Sequence, residues 1–196
     1  MDAIDIARCS APDFCDLPLG FRSPEFRIQW ASGPWMRQQA LALRRQVFCQ
    51  EQGLFDGDDF DTIDADDPSC RLLVALSSWG AQPDEVIGTV RIHRPEPGLW
   101  WGSRLAVARD WRRHGQLGSS LIRLAVGSAH ALGCHTFLAH VQAQNVALFR
   151  RLRWSVLDEM VIHDRMHALM RADLSHYPPC TTPYEGFVLA DGARHG

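Results

Sequence analysis

Apolar positions recur along this chain with two different periods, and the alternation between them predicts a mixed α/β protein. Apolar runs and apolar–polar alternation are typical of strands, whereas apolar residues three and four positions apart are typical of amphipathic helices. The pattern predicts seven strands, at residues 26–30, 70–76, 86–93, 99–107, 137–141, 155–163 and 166–172. Turn-forming residues at 80–84 and 95–98 indicate hairpins between neighbouring strands.

Helical spacing of apolar residues predicts two long helices, at residues 35–52 and 117–132, and a glycine follows each of them. Three segments are expected to be irregular: an N-terminal arm at 1–20, an acidic loop at 56–67 and a Pro- and Gly-rich tail at 177–196. The predicted organisation is one domain over residues 21–176, with an arm on either side.

Composition narrows the class of protein. The 196 residues include 46% hydrophobic side chains and seven Trp, which favours a folded domain with a sizeable core. A net charge of −3 gives no general attraction to nucleic acid or to an anionic membrane. All 20 basic residues are Arg, so no lysine is available for catalysis. The chain has no run of 18 apolar residues and an acidic N-terminus, and we expect a cytoplasmic protein.

The six cysteines are scattered and include no C-x-x-C pair, so reduced thiols are expected. No metal site is expected either, because the acidic run 56–59 lacks the spacing and the closing Glu of a calcium loop.

A basic, glycine-containing loop lies between the apolar run 105–107 and the second long helix. The first N–H groups of a helix have no partner within the helix, and its dipole favours negative charge. Arginines add forked donors to such a site. We therefore predict a phosphate-type anion site, formed by Arg112, Arg113, His114, Gly115, Gln116, Leu117, Gly118 and Ser119. The alternative is an ordinary strand-to-helix turn.

This loop resembles motif A of the GNAT acyl-CoA N-acyltransferases, Arg/Gln-x-x-Gly-x-Gly/Ala, which in that family holds the CoA pyrophosphate. The motif falls on Arg113, Gln116 and Gly118, with Gln116 where the family usually has its first glycine. Residues 137–154 resemble the family's next block, a strand followed by Asn and a short helix. Asn145 matches the residue that contacts pantetheine, and Phe149 stands where the family often has a tyrosine that protonates the leaving thiolate.

The resemblance covers residues 26–174 and is closest to a bacterial subfamily encoded beside nitrilase-type genes. It implies the GNAT fold: an α/β (α+β) protein with a mixed, mostly antiparallel seven-stranded sheet, splayed between its fourth and fifth strands and flanked by helices. It also implies that acyl-pantetheine lies in the splay, bonded to backbone groups of Leu105, Ala106 and Val107.

A second resemblance, to the acyl-homoserine-lactone synthases, lies in the N-terminal half. Those enzymes share the GNAT fold but use an acyl carrier protein and S-adenosylmethionine. The matching residues are Arg44, Phe48, Asp61, Asp64, Arg91 and Arg104. Aspartates that face arginines across a cleft could bind a cationic amine and orient its carboxylate. The alternative is a structural ion-pair network that ties the acidic loop to the sheet.

Amide formation needs an uncharged amine, so a base must take a proton. The family often uses a Glu on its fourth strand, where this chain has Ser103 and Arg104. The other candidates for the base are His140, Glu159, His163 and Asp64. For His140 the alternative is a hydrogen-bonded core histidine. Phe149 cannot act as the acid, but a thiol of pKa about 8.5 to 9 is a tolerable leaving group without one.

Three functional hypotheses follow. The first is an enzyme that transfers acetyl from acetyl-CoA to the amine of a small molecule. Acetyl-CoA is its expected co-substrate, no metal is expected, and the protein can form a homodimer. The second is a lactone-synthase-like enzyme, against which the predicted pyrophosphate loop argues. The third is a non-catalytic partner protein that senses acyl-CoA, favoured by Phe149 and by the missing carboxylate on the fourth strand.

Overall fold

A single mixed sheet carries the fold in the computed structural model, which describes residues 25–79, 82–113 and 116–190. Its eight strands are β1 Glu25–Trp30, β2 Arg71–Trp79, β3 Gln82–Glu96, β4 Leu99–Val107, β5 Thr136–Gln142, β6 Trp154–Ile162, β7 Arg165–Ala172 and β8 Phe187–Ala190. They lie in the order β6-β7-β5-β4-β3-β2-β1-β8. Only the central β4–β5 pair is parallel among these neighbours. All seven predicted strands are present.

Four α-helices flank the sheet: α1 Pro34–Arg44, α2 Thr62–Asp66, α3 Leu117–Ala131 and α4 Val146–Arg151. Helix α1 continues directly into a π-helical turn at Arg45–Glu51, so the first predicted helix is confirmed although its last part is wound more widely. Gly53 follows with φ +61°, which a glycine adopts without strain. None of the helices within the described residues combines the length and the hydrophobicity needed to span a bilayer.

The two faces of the sheet bury separate cores. On the α3 face, apolar side chains of the helix pack on the central strands, as Leu121, Leu124 and Val126 do with at most 2% exposure. On the α1 face, a smaller core joins Leu43 and Val47 to Leu72, Val74 and Leu76 of β2. Because the middle of β2 is buried on both sides, it is apolar at every position from Leu72 to Leu76, as the continuous apolar run predicts.

The sheet splits where β4 and β5 part. Their pairing runs from Leu99↔Thr136 to Gly102↔Ala139 and then stops, while both strands continue. On its other edge β4 carries a bulge, since Ser103 pairs with Arg91 and Ala106 with Thr89. The splay predicted between the fourth and fifth strands is therefore present.

The C-terminal tail differs from its prediction as an irregular segment. Its residues 187–190 form β8, the eighth strand, which pairs antiparallel with β1. Gly186 makes this approach possible, because a Cβ at this position would lie 1.8 Å from the carbonyl oxygen of Ile28. A four-residue strand after a Pro-rich stretch gives too short an apolar pattern to be recognised in the sequence.

The acidic loop also contains structure that was not predicted. Asp61 caps α2 by accepting from the backbone N–H of Ile63 and of Asp64, and the Asp64 side chain accepts in return from the N–H of Asp61. This reciprocal capping box stabilises a helix of only five residues. The predicted N-terminal arm at 1–20 lies outside the described residues.

Candidate active site

A cavity of about 570 Å³ passes through the splay and joins the two faces of the sheet. On the α1 face its wall is polar and aromatic, with Arg91, His93, Trp101, Arg104, His140 and His163 among the lining residues. On the α3 face its wall is apolar, with Leu105, Ile122, Ala125, Phe137, Phe149 and Trp154. We call the first the acceptor end and the second the donor end of the cavity.

Three arginines and three aspartates form one charge network beneath the acceptor end. Arg44 is fully buried and bonds Asp64 through both Nη atoms, each at 2.8 Å, and Asp59 through Nε at 2.8 Å. Burial opposes the charge of Arg44, yet its hydrogen bonds to Asp64 and the charges of Asp59 and Asp64 raise its pKa above the ordinary value. This arginine is therefore held as a structural cation.

Arg91 on β3 is the second buried arginine of the network and is 2% exposed. Its Nη1 donates to Asp61 at 2.5 Å and to Asp64 at 2.7 Å, and its Nη2 donates to Asp61 at 3.0 Å. Its Nε donates to the hydroxyl of Ser103 at 3.0 Å. Burial opposes ionisation of Asp61, but the hydrogen bond and charge of Arg91 lower its pKa to about 2, so Asp61 is a carboxylate at neutral pH.

Arg104, in the bulge of β4, is held differently. Its backbone lies in the left-handed region at φ +56°, which is unusual for a residue with a side chain. Nη2 donates to the carbonyl oxygen of Asp59 and to Asp61, both at 3.2 Å, and the guanidinium lies 4.5 Å from the ring centre of Phe55. Nε lies 2.9 Å from Asp59 Oδ2 without hydrogen-bond alignment.

The structure divides the six predicted substrate-binding residues. Phe48, Asp61, Arg91 and Arg104 line the cavity, whereas Arg44 and Asp64 lie behind its wall. Asp64 is 5% exposed, and its two oxygens already accept from Arg44, Arg91 and a backbone N–H. An amine in the cavity cannot reach it, and none of its lone pairs points freely into the cavity. The geometry therefore does not support its predicted role as the base.

The other candidate bases differ in whether they line the cavity. His140 on β5 lines the cavity, with its ring centre 4.9 Å from that of Trp101. Burial and the neighbouring His167 lower the pKa of His140. His163 lines the cavity from the β6–β7 turn. Glu159 is exposed on β6 and is not among the lining residues, because alternate side chains of a strand point to opposite faces.

Several lining residues were not predicted. His93 on β3 lines the acceptor end, its Nδ1 is buried without a partner, and burial and the charge of Arg91 lower its pKa. Gln142 donates to the Gln52 side chain at 3.0 Å and Arg165 to the Gln52 carbonyl oxygen at 2.5 Å, which joins β5 and β7 to the end of the π-helical turn. The two-residue spacing of Arg91 and His93 on one strand was the available signal for His93.

The predicted anion site lies at the start of α3. No side chain among the described residues caps this helix, and its first turn contains no acidic residue. Within the described part of the chain, a Cβ added at Gly118 would have no neighbour within 4 Å, so the space beside the first turn is open to those residues. Arg113 is exposed, while Arg112 bonds the Val107 carbonyl oxygen at 2.9 Å and Glu51 at 2.5 Å. His114 and Gly115 of this prediction lie outside the described residues.

The other predicted CoA-binding residues surround the splay. Leu105, Asn145 and Phe149 line the cavity, and Phe149 is buried against Trp154 with ring centres 5.0 Å apart. Ala106 and Val107 pair with β3 on one edge, and their other edge faces the open side of the splay. Within residues 25–79, 82–113 and 116–190, no three His, Cys, Asp or Glu side chains are grouped to hold a metal ion.

Comparison with known proteins agrees with this geometry. Residues 35–153, more than half of the chain, match the acetyltransferase (GNAT) family. YyaT of Bacillus subtilis (strain 168), an uncharacterized protein, is 24% identical over 140 residues, which are 70% of this chain and 88% of YyaT.

Two solved structures show the same fold. A predicted N-acetyltransferase from Lactobacillus plantarum has a TM-score of 0.65 at 22% identity, over 75% of this chain and 97% of that one. BjaI, a CoA-dependent acyl-homoserine lactone synthase solved with SAM and isopentyl-CoA, has a TM-score of 0.63 at 18% identity, over 85% of this chain and 96% of its own. The motif at the start of α3, the splayed sheet and the family match lead to one conclusion: the chain belongs to the GNAT acetyltransferase family.

Proposed function

We propose that this protein is an acyl-CoA-dependent N-acyltransferase that transfers an acyl group, in the simplest case acetyl from acetyl-CoA, to the amine of a small molecule. The observation that carries the proposal is the parting of β4 and β5 after Gly102 and Ala139, which opens a cavity from one face of the sheet to the other. A thioester that enters from the donor end and an amine that enters from the acceptor end would meet inside the splay.

The start of α3 fits the pyrophosphate of CoA. Uncapped N–H groups and the positive end of the helix dipole favour phosphate, and the open space beside Gly118 lets it approach the backbone. Arg112 and Arg113 supply the countercharge. In the family CoA carries the acyl group as a thioester, and Asn145 and Leu105 would contact its pantetheine arm where the cavity passes them.

The reaction is a direct attack. The amine nitrogen forms a bond to the thioester carbon, the C–S bond breaks, and CoA leaves as a thiolate. A backbone N–H on the open edge of β4, at Leu105 or Ala106, would stabilise the oxyanion. Phe149 has no proton to give, and the thiolate of a thiol with pKa about 8.5 leaves without an acid.

His140 is our proposed base. It lines the cavity on β5 beside the splay, and its lowered pKa keeps the imidazole neutral, and therefore able to accept a proton, at neutral pH. The proton lost by the amine passes to this ring and then to solvent. Glu159 and Asp64 have no comparable access to the cavity.

Two alternatives remain as second candidates. The predicted pyrophosphate loop was expected to argue against a lactone synthase. BjaI, however, is a CoA-dependent lactone synthase, so a pyrophosphate site is compatible with that activity. A non-catalytic sensor of acyl-CoA is the other. Within the family, membership of the subfamily encoded beside nitrilase-type genes stays a prediction from the sequence.

The first test is the melting temperature of the protein with acetyl-CoA, with S-adenosylmethionine in parallel. A ligand that binds only the native state stabilises it by about 2.7 kcal/mol at a hundredfold excess over Kd. Gly118→Glu should abolish the rise with acetyl-CoA, because the carboxylate would stand where the pyrophosphate binds. Gly118→Ala is the matched variant, since its methyl group enters the same open space without charge.

Each outcome separates the candidates. A rise with acetyl-CoA that Gly118→Glu removes, together with CoA release in the presence of amines, supports the acyltransferase. A rise without CoA release from any amine favours the sensor, and a rise with S-adenosylmethionine favours the lactone synthase. A rise that persists in Gly118→Glu would show that the loop assignment is wrong.

A further inference from the structure

The acceptor end of the cavity contains charges that the proposed transfer does not use. Its charged lining residues are Asp61, Arg91 and Arg104, two cations against one anion. The remaining partners of the network, Arg44, Asp59 and Asp64, lie behind this wall. The way in which each of the three lining charges is occupied decides which kind of amine the wall can bind.

Asp61 is not available to an ammonium group. Its Oδ1 accepts from Arg91 and from the backbone N–H of Ile63 and Asp64, and its Oδ2 accepts from Arg91 and Arg104. Five donors exceed the usual complement of four lone-pair sites on a carboxylate. No other lining residue in the described part of the chain is acidic.

Arg91 is largely committed, because its three nitrogens make four hydrogen bonds, to Asp61, Asp64 and Ser103, with five N–H groups. Arg104 is not. Its Nη2 is occupied, but Nη1 has no hydrogen-bond partner among the described residues, and 19% of its side chain stays exposed at the cavity wall. One guanidinium nitrogen therefore keeps both of its N–H groups for a ligand.

The backbone and the neighbours of Arg104 hold it in this position. The bulge and the left-handed φ of +56° turn its side chain and that of Ser103 toward the same cavity, although adjacent strand residues usually face opposite sides. The Ser103 hydroxyl accepts from Arg91 and retains its own proton for donation. Phe55 supports the guanidinium from the side at 4.5 Å.

We propose that the acceptor is an amine that carries a carboxylate, an amino acid with an apolar side chain, and that its carboxylate is bound by Nη1 of Arg104 and the hydroxyl of Ser103. The carboxylate would accept from the free Nη1 of Arg104 at the cavity wall, and Phe48, Leu54 and Trp101 provide apolar surface beside it. The amine then points toward the splay, where His140 can accept its proton.

This inference rests on the proposed acyltransferase function, and one panel of amines tests it on the unaltered protein. Leucine, leucinamide and 3-methylbutylamine share the same apolar group, and only leucine has a carboxylate. With acetyl-CoA as donor, release of CoA should show kcat/KM for leucine at least tenfold above that for either analogue without a carboxylate. Equal or faster turnover of leucinamide or 3-methylbutylamine would overturn the inference.

Arg104→Gly is the sharpest variant, because glycine adopts the backbone conformation at φ +56° without strain while the guanidinium is lost. It should raise the KM for leucine at least tenfold and leave the KM for leucinamide within about threefold. Arg123→Ala, at an exposed position of α3, is the control for loss of an arginine. An equal loss with both acceptors would contradict a carboxylate subsite and indicate a purely structural role.

A binding measurement without donor separates this inference from the proposed function. A rise in melting temperature with leucine and none with leucinamide supports the carboxylate subsite. Equal rises, or none with either, overturn it. Absence of a rise with acetyl-CoA and of CoA release with every amine would overturn the acyltransferase itself. Acetyl-CoA binding with preferred turnover of amines that lack a carboxylate would overturn the subsite alone.

Discussion

At the acceptor end of the cavity, three arginines and three aspartates bind one another. At the start of α3, by contrast, Arg112 and Arg113 lie at the surface, and no side chain of the described residues caps the helix. Arg44 and Arg91 are at most 2% exposed, but Arg112 keeps 42% of its side chain in solvent. The first group of charges is paired within the core, whereas Arg112 makes only exposed contacts, to Val107 and Glu51, and Arg113 is exposed. Arg104 stands between these two cases, since part of its donor set is occupied and part is open.

This contrast shows why charge alone does not identify a binding residue. The two charged groups of a buried ion pair lose their hydration, and their attraction for each other does little more than offset that loss. Their donors and acceptors are occupied and are not available to a substrate. An exposed arginine retains its donors but gains little from any single contact. A partly buried arginine with an open edge combines a fixed position with free donors, which is what recognition of a small anion requires.

The largest effect is expected from breaking the network at Arg44. Arg44→Met leaves Asp59 and Asp64 buried without their main partner, and removal of one member of a buried pair destabilises a protein by roughly 3–5 kcal/mol. Urea unfolding measures this free energy. Arg45→Met, at the exposed neighbouring position, is the control and should change it by no more than about 0.5 kcal/mol. A loss below about 1 kcal/mol at Arg44 would show that the network is not structural.

An intermediate effect is expected at His140, which lines the acceptor end of the cavity beside the splay. Burial and His167 lower its pKa, so the neutral base is lost only as the pH falls through a value below 6.5. We therefore expect kcat/KM to be flat near neutrality and to decline on the acidic side. His140→Gln should remove that decline and lower kcat by about a hundredfold. The pH–rate profile checks both effects, with His176→Gln, a half-exposed histidine outside the cavity, as the control.

An unchanged profile and rate in His140→Gln would exclude it as the base. His93 would then be the next candidate, because it lines the same end of the cavity with a buried, unpartnered Nδ1.

The smallest effect is expected near the start of α3, at the ion pair between Glu51 and Arg112. Glu51→Gln releases Arg112 from a surface ion pair, which contributes at most about 1 kcal/mol to stability. The freed arginine should tighten acetyl-CoA binding by about twofold to fivefold at low salt, with the gain fading as the ionic strength rises. Isothermal titration calorimetry measures the affinity, and Glu96→Gln, an exposed glutamate of the β3–β4 hairpin, controls for lost negative charge. Weaker binding in Glu51→Gln would contradict a role of Arg112 in holding the pyrophosphate.

Much of the architecture was predictable, because hydrophobic periodicity is a local property of the sequence. The seven central strands and the two long helices each extend over enough residues to display their period. Helix α2 and strand β8 are too short for that, and they exist because of a capping box in one case and a pairing with β1 in the other. The π-helical turn after α1 has no local signal at all.

The sequence predicted many of the residues of the candidate site, but it did not predict which of them pair with each other or which line the cavity. The sequence indicated Arg44, Asp61, Asp64, Arg91 and Arg104 as a group, and the structure brings them together. It did not indicate Asp59, whose carboxylate completes the pairing of Arg44. It also placed Glu159 among the bases, although that side chain lies outside the cavity.

The sequence by itself determined the strand and helix pattern, the family motif at the start of α3 and the inventory of charged residues near the predicted cleft. These follow from side-chain period and from spacing along the chain, which require no knowledge of distant contacts. Only the tertiary structure decided that Asp64 is saturated, that His93 faces the cavity and that Arg104 retains a free Nη1. Each of these depends on hydrogen-bond partners 20 or more residues away or on which face of a bulged strand meets the splay, and folding alone fixes that geometry.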